Sequence, residues 1–404
     1  MIFCLDFDGT ITARDMIVSI AEAFCPPEWE AVKDAILDRR LDVRAGVARI
    51  FAMIPSARRD EIVAFARKHA VIRPGFEAFL EDCARRRIPV HVVSGGVDFF
   101  VEPVLAPFRD RLGDVYWIEG DFSGPTIALR HPWGSETEGT DKVRILRRYP
   151  GERTALVGDS VTDLPAARVA DLVYARDRLQ GYLDEEARPY APFETFDDIR
   201  ADLAARLALV AVGRSFDARG WVLGTSGNFS ARLPGGARVI TPSGAQKGEV
   251  EPTDFLRLEP GAETSRAGRP SAERVIHDAV YEAVPTASCV LHAHSPYATL
   301  ASDLSAPGPH GAPDFLVAAG LEMVKGLGLW EDGAAARIPV FDNHHDIPAI
   351  AREIAAHLRA DPHAPPTLLI RGHGITAWGP TVEDARRHLE ITEFLCRMAW
   401  ERRC

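Results

Sequence analysis

Two kinds of side chain that do chemistry recur where apolar runs of this sequence end. The first kind is carboxylate. Ile2-Phe-Cys-Leu-Asp6-Phe-Asp8-Gly9-Thr10 sets two aspartates at i and i+2 just after an apolar run. Where the chain turns out of the pleat, both can face one site, one attacking phosphorus and the other handling a proton. Carboxylates this close repel, which calls for an oxygen-seeking cation such as Mg²⁺. Gly158-Asp159-Ser-Val-Thr-Asp163 brings two more acids. Ser94 and Gly95 offer a hydroxyl and backbone N–H groups to a phosphate, and Lys142 offers a mobile positive charge. The second kind is imidazole. Leu291-His292-Ala-His294-Ser295 ends one apolar run and Arg371-Gly-His373-Gly374 another. Three neutral imidazoles with an open position describe a catalytic Zn²⁺ site in which the metal acts as Lewis acid. His344 and His345 are adjacent, so they point apart and read as surface residues or as supports behind the metal ligands.

Around the histidines lie hydroxyl- and glycine-rich turns, Thr225-Ser-Gly227-Asn228 and Thr241-Pro-Ser243-Gly244, whose N–H groups suit an anion. Ser271-Ala-Glu273 opens an amphipathic segment and by itself reads as a helix N-cap with a first-turn acid.

The elements that must position these groups differ between the two halves. Up to about residue 200, β-branched strands alternate with helices: Ile2–Phe7, Pro89–Ser94, Thr154–Gly158 and Val173–Ala175 read as strands. Residues 15–70 read as helical, broken at Pro26-Pro27 and Pro55. That alternation predicts a parallel, doubly wound sheet with ligands at the carboxyl ends of its strands. Arg188-Pro-Tyr-Ala-Pro-Phe marks the boundary, and Phe196–Asp217 reads as a helix that could belong to either side. Beyond Leu223, short strands and glycine-rich turns take over, with Ser288–His292 and Thr367–Arg371 as further strands.

Length and charge bound the rest. The 404 residues suffice for two cores, and the net charge of −11 argues against nucleic acid or an anionic membrane as the main partner. Three histidines precede residue 200 and ten follow it, which sends the imidazole chemistry to the second half. Six scattered cysteines without a CxxC pair, and an N-terminus unlike a signal peptide, predict a cytoplasmic protein with inert thiols.

Over nearly all of residues 1–200, the acidic set resembles the haloacid dehalogenase-like phosphatases. The resemblance implies Asp6 as nucleophile, Asp8 as general acid/base, Ser94 and Gly95 as phosphate binders and Lys142 as the phosphate-binding lysine. It implies Mg²⁺ among Asp6, Asp8, Asp159 and Asp163, and a helical cap over about residues 14–75. Ala23–Asp34 and Val93–Val101 are similar to the branch that dephosphorylates 2-hydroxy-3-keto-5-methylthiopentenyl-1-phosphate in methionine salvage. Roughly residues 203–404 resemble the class II aldolases. That likeness implies a central, mainly antiparallel sheet in an α/β domain over 201–404 and phosphate binding by Thr225, Gly227, Asn228, Ser243, Gly244 and Ser271. It implies Zn²⁺ on His292, His294 and His373, with Glu273 as acid/base or fourth ligand. Gly320-Leu-Glu322-Met-Val-Lys-Gly326 is similar to the methylthioribulose-1-phosphate dehydratase branch, where the match to Glu322 is the acid/base; on its own it is a solvated helix charge. Small phosphorylated substrates and a homotetramer formed through the second half follow from these likenesses. A sugar-phosphate aldolase or epimerase, or one half that only binds phosphorylated ligands, are the alternatives.

Overall fold

In the computed structural model, which describes residues 1–38, 40–308 and 312–403, the chain forms two compact units that divide between Arg200 and Ala201.

The first unit is built on seven strands: β1 (Ile2–Leu5), β2 (Val90–Val97), β3 (Val115–Asp121), β4 (Ala128–Arg130), β5 (Thr154–Gly158), β6 (Leu172–Ala175) and β7 (Ala191–Pro192). They lie in the order β4-β3-β2-β1-β5-β6-β7. All neighbours are parallel except β3 and β4. Every residue of β1 is buried, as a central parallel strand covered on both faces requires. The chain proceeds outward on one side of β1 and returns to β5 on the other, so the switch point lies at β1. β2 runs past the expected end at Ser94, and its register with β3 breaks between Val93 and Val97. Such a break re-aims the residues it contains, Ser94 among them.

Between β1 and β2 the described residues form five α-helices: Met16–Phe24, Trp29–Leu37, Val43–Phe51 and Arg59–His69 make the insert, and Phe76–Arg85 leads back into β2. Asp15 and Asp42 cap two of them by accepting from Val18 and Ala45 N–H. Two of the three gaps between the insert's helices fall at Pro26-Pro27 and Pro55, where a missing N–H and a fixed φ stop a helix.

The second unit holds an eight-stranded sheet: β8 (Asn228–Arg232), β9 (Arg238–Ile240), β10 (Leu256–Leu258), β11 (Cys289–Ala293), β12 (Asp314–Ala319), β13 (Ala335–Phe341), β14 (Thr367–Ile370) and β15 (Gly374–Gly379). Its order is β10-β9-β8-β11-β15-β14-β13-β12, and only β13 and β14 pair in parallel. Alternation along the strands feeds two cores. Leu291, Ile375 and Ala377 pack with Leu389 and Leu395 of the helix Val382–Glu401. Val290, Leu368 and Ile370 pack on the other face with Ile276, Val280 and Ile354. Phe196–Asp217 is one continuous helix across the division.

Both architectures match the expected α/β class. Cys4, Cys83, Cys289 and Cys396 are buried free thiols and Cys25 is half-buried; Cys404 lies outside the described residues. Among the described residues, no helix is long and apolar enough to cross a membrane.

Candidate active sites

The first site gathers at the carboxyl ends of β1, β2 and β5. β1 delivers Asp6, whose N–H is held by the Val157 carbonyl. Lys142 opens the short helix Lys142–Leu146, and its buried ammonium touches Asp6 Oδ1 at 2.7 Å and Asp163 Oδ1 at 2.6 Å. Asp163 Oδ2 accepts from the N–H groups of Asp159 and Ser160. Thr10 donates its hydroxyl to Asp159 Oδ1 at 3.1 Å. Carboxylate oxygens of Asp6, Asp159 and Asp163 all lie within 4.8 Å of one another. Burial pushes the Asp6 carboxyl up to about 7, against the pull of Lys142. Burial, with Asp6 and Asp163 alongside, pushes Asp159 up to about 9. One ammonium does not offset three acids gathered this closely; a divalent cation bound by oxygen does, so the donor set fits one.

Asp8 departs from expectation. Its carboxylate is not in that group: Oδ1 accepts from Met16 N–H at 2.9 Å, and Oδ2 is buried without a hydrogen-bond partner. Asp8 is extended (φ −72°, ψ 121°) and Gly9 left-handed (φ 77°), so the chain turns sharply just after Asp8. A Cβ on Gly9 would collide with the Asp159 carboxylate. Burial, then Asp15 and Asp6, raise the Asp8 carboxyl well above the usual range. Ser94 is fully buried, and its Oγ accepts from Gly96 N–H at 2.8 Å. Gly95 lines a cavity of 460 Å³ that also touches Asp6, Asp8 and Asp159, with Trp29, Ile36, Val43 and Val47 of the helical insert on its walls. Phe99 and Phe100 are buried packing residues, each in ring contact with Phe51.

The second site stands on adjacent antiparallel strands. β11 carries His292, opposite Asn228 of β8 and Thr376 of β15, and His294 follows at its end. His373 sits in the tight turn from β14 to β15. His292 Nδ1 meets the Ile375 carbonyl at 2.9 Å, so that nitrogen carries the proton and Nε2 presents a lone pair. The three Nε2 atoms converge: 3.0 Å from His292 to His294 and 2.9 Å from His294 to His373. Glu273 completes the group, with Oε1 3.1 Å from His373 Nε2 and Oε2 3.4 Å from His292 Nε2. Burial keeps His292 below its ordinary value, and burial with the neighbouring imidazoles takes His294 down to about 4. Rings aiming three nitrogens at one point are what a divalent cation of zinc type requires.

The turns expected to hold phosphate are brought together. Ser243 N–H donates to the Arg269 carbonyl, and Pro242 bridges to Pro270, next to Ser271. Ser271 Oγ accepts from Glu273 N–H at 3.3 Å. Thr225 and Gly227 precede β8, and the Thr225 carbonyl accepts from Lys247 Nζ. Gly244 lies in the exposed part of its turn.

Residues 3–168 match the haloacid dehalogenase-like hydrolases, and residues 207–400 match the class II aldolase and adducin N-terminal domain. Over 98% of its length, the chain is 38% identical to a "Bifunctional enzyme MtnB/MtnX" of Bacillus licheniformis, 96% of which is covered. The chain belongs to the bifunctional MtnB/MtnX enzymes. A 2-hydroxy-3-keto-5-methylthiopentenyl-1-phosphate phosphatase of Brevibacillus brevis is 42% identical over 49% of this chain and 92% of its own length. One of the same name from Geobacillus kaustophilus is 42% identical over 49% of this chain and 93% of its own.

Within this MtnB/MtnX-type chain, Glu322 is not gathered with the histidines. It opens the short helix Glu322–Leu327, with its side chain 83% exposed and paired to Lys325 at 2.7 Å. Glu273 is gathered: Asn228 Nδ2 donates to it at 2.5 Å. Burial pushes the Glu273 carboxyl up, but His292, His373 and Asn228 outweigh burial and hold it below the usual carboxylate range. His344 and His345 are exposed and away from the group. Lys247 was not legible beforehand. It is buried, donates to the Thr225 and Ala245 carbonyls, and burial, opposed by Glu273, takes it down to about 8. Its only sequence signal is a lone cation closing a turn rich in small residues.

Proposed function

We propose that the chain hydrolyses 2-hydroxy-3-keto-5-methylthiopentenyl-1-phosphate in its first unit and dehydrates 5-methylthioribulose-1-phosphate in its second. The observation that carries this is the occurrence of both complete clusters in one chain similar, over nearly its whole length, to a bifunctional MtnB/MtnX enzyme.

In the first unit, Asp6 attacks phosphorus and the alcohol leaves with a proton from Asp8. Burial raises that carboxyl above its usual range, the direction a proton donor needs. Water then attacks the aspartyl-phosphate, and Asp8 takes the proton back. Mg²⁺, held by Asp6, Asp159 and Asp163, would supply charge compensation for the transferring group. Lys142 adds a fixed positive charge, and Ser94 and the Gly95 N–H orient the phosphoryl oxygens. The apolar wall of Trp29, Ile36, Val43 and Val47 suits a thioether tail.

In the second unit, the turns around Asn228, Ser243 and Ser271, with Lys247, take the phosphate. Zn²⁺ on His292, His294 and His373 would act as Lewis acid toward the substrate carbonyl. A carboxylate removes the proton from the adjacent carbon, and the hydroxyl on the next carbon leaves as water. Glu322 is assigned that proton because its segment resembles the dehydratases. Glu273 is the competitor, favoured by its position among the histidines. The two reactions are not consecutive, since an enolase-type isomerisation lies between them, so no direct handover between the sites is expected. The enzyme works in the cytoplasm as a tetramer assembled through the second unit, where Leu223, Val317, Trp330 and Phe394 leave apolar surface exposed; light scattering of the full chain tests the assembly.

Incubating the purified chain with each substrate tests the activities. Inorganic phosphate is expected from the first and a dehydrated diketone phosphate from the second. Carbon–carbon cleavage products from the ketose phosphate would replace the dehydratase with an aldolase, and absence of phosphate release would remove the phosphatase.

A further inference from the structure

The loop that carries Asp6 and Asp8 owes its shape to a residue far along the chain. Its carbonyls converge on Arg73, which is 6% exposed. Arg73 Nε donates to the Thr10 carbonyl at 2.8 Å, Nη2 to those of Gly9 at 2.5 Å and Thr12 at 3.3 Å, and Nη1 to that of Glu194 at 3.2 Å. Among the described residues, no carboxylate pairs with it. A buried guanidinium is costly unless its donors are used. Here the rigid fork is used on backbone oxygens of one loop.

Arg73 also stands where the helical insert ends. Its N–H donates to the Ile11 carbonyl at 2.8 Å, Ala13 N–H donates to the Val71 carbonyl at 2.8 Å, and Thr12 bridges to Ile72. The chain entering the insert and the chain leaving it are therefore paired at this point. One link further lies the cation site: Thr10, whose carbonyl Arg73 Nε holds, gives its hydroxyl to Asp159.

We propose that Arg73 is a positioning residue for phosphoryl transfer. It ties the base of the insert to the nucleophile loop and holds Thr10, and through Thr10 the carboxylate of Asp159, without touching substrate. This rests on the phosphatase assignment of the first unit.

The test uses the full chain as wild type, Arg73→Gln and Arg73→Lys, with para-nitrophenyl phosphate, which is too small to fill the apolar wall. In Arg73→Gln, kcat per folded molecule is expected to fall about 10–100-fold with little change in KM, as for a displaced rather than a missing reacting group. The Mg²⁺ concentration for half-maximal rate should rise. Amide exchange should quicken across residues 7–12 while β5 stays protected. Lys reaches fewer carbonyls than the guanidinium fork, so Arg73→Lys should lie between the two, and it decides the matter on the same measurements if Arg73→Gln does not fold. A folded variant with wild-type kcat, or one with uniformly faster exchange and unchanged Mg²⁺ dependence, overturns the proposal. A wild-type chain that releases no nitrophenol while folded would instead overturn the phosphatase assignment.

Discussion

The two sites solve the same problem, assembling donors for a cation, with opposite means. The first uses oxygen donors on loops beyond parallel strands, drawn from residues 6, 159 and 163, with Lys142 already inserted between two of them. The second uses imidazole nitrogens carried by antiparallel strands and the turn between β14 and β15, where the sheet itself brings His292 opposite Thr376 and turns its lone pair inward. In the first, the donors are acids that repel until charge arrives; in the second, three imidazole nitrogens converge beforehand beside a single carboxylate, Glu273. Cation retention should therefore differ sharply between them. Oxygen sites for Mg²⁺ stay hydrated and release it readily, while a three-histidine cage holds zinc tightly. Dialysis without metal should abolish phosphatase activity until Mg²⁺ is restored, yet leave about one zinc per chain.

Sharper tests break one site and watch the other. The largest effect is expected from Asp6→Asn, with phosphatase turnover falling by ~10⁴-fold or more because the attacking oxygen is gone. Zinc content and dehydration should be unaltered; loss of both activities in folded protein would break the claim of independence. Next come the competing acids of the second unit. Glu322→Gln should lower dehydration by ~10²–10⁴-fold with zinc retained, if that carboxylate moves the proton. A larger loss in zinc-loaded Glu273→Gln would transfer the role to the residue among the histidines. His292→Ala should weaken zinc binding by more than ~10²-fold, read by metal analysis, with para-nitrophenyl phosphate turnover unchanged. The smallest effect tests packing behind the first site. A Cβ at Gly96 would stand 2.7 Å from Asp8 Oδ2 and 3.0 Å from Ser94 Oγ. Gly96→Ala should therefore reduce phosphatase kcat by about tenfold through displaced groups. Unchanged turnover would mean that Asp8 has room to move.

Local pattern carried some of this and not the rest. Asp-x-Asp-Gly and His-x-His were legible because their partners lie within two residues on one strand end. The helix Phe196–Asp217 and the breaks at Pro26-Pro27 and Pro55 were legible because periodicity and proline act through the adjacent backbone. The strands β3, β4, β7, β12, β13 and β15 were missed; β4, β7 and β12 are sheet edges, but β15 lies between β11 and β14, so pairing rather than composition makes these segments strands. The roles of Asp8 and Asp163 were only half legible, since both are acids near a strand end and contacts with distant segments, Met16 N–H for Asp8 and Lys142 for Asp163, separate them.

The sequence by itself determined the two chemistries, the division near residue 200 and the residue types that could serve each site, because strand ends, caps and breaks are short-range consequences of side-chain shape and charge. Only the tertiary structure decided which groups meet. Glu273 with the histidines, Lys247 on the Thr225 carbonyl and Arg73 on the carbonyls of the loop after Asp8 all depend on contacts between segments distant in the chain. Such contacts follow from strand register and from the need to satisfy buried polar groups, and neither is written in the spacing of neighbouring residues.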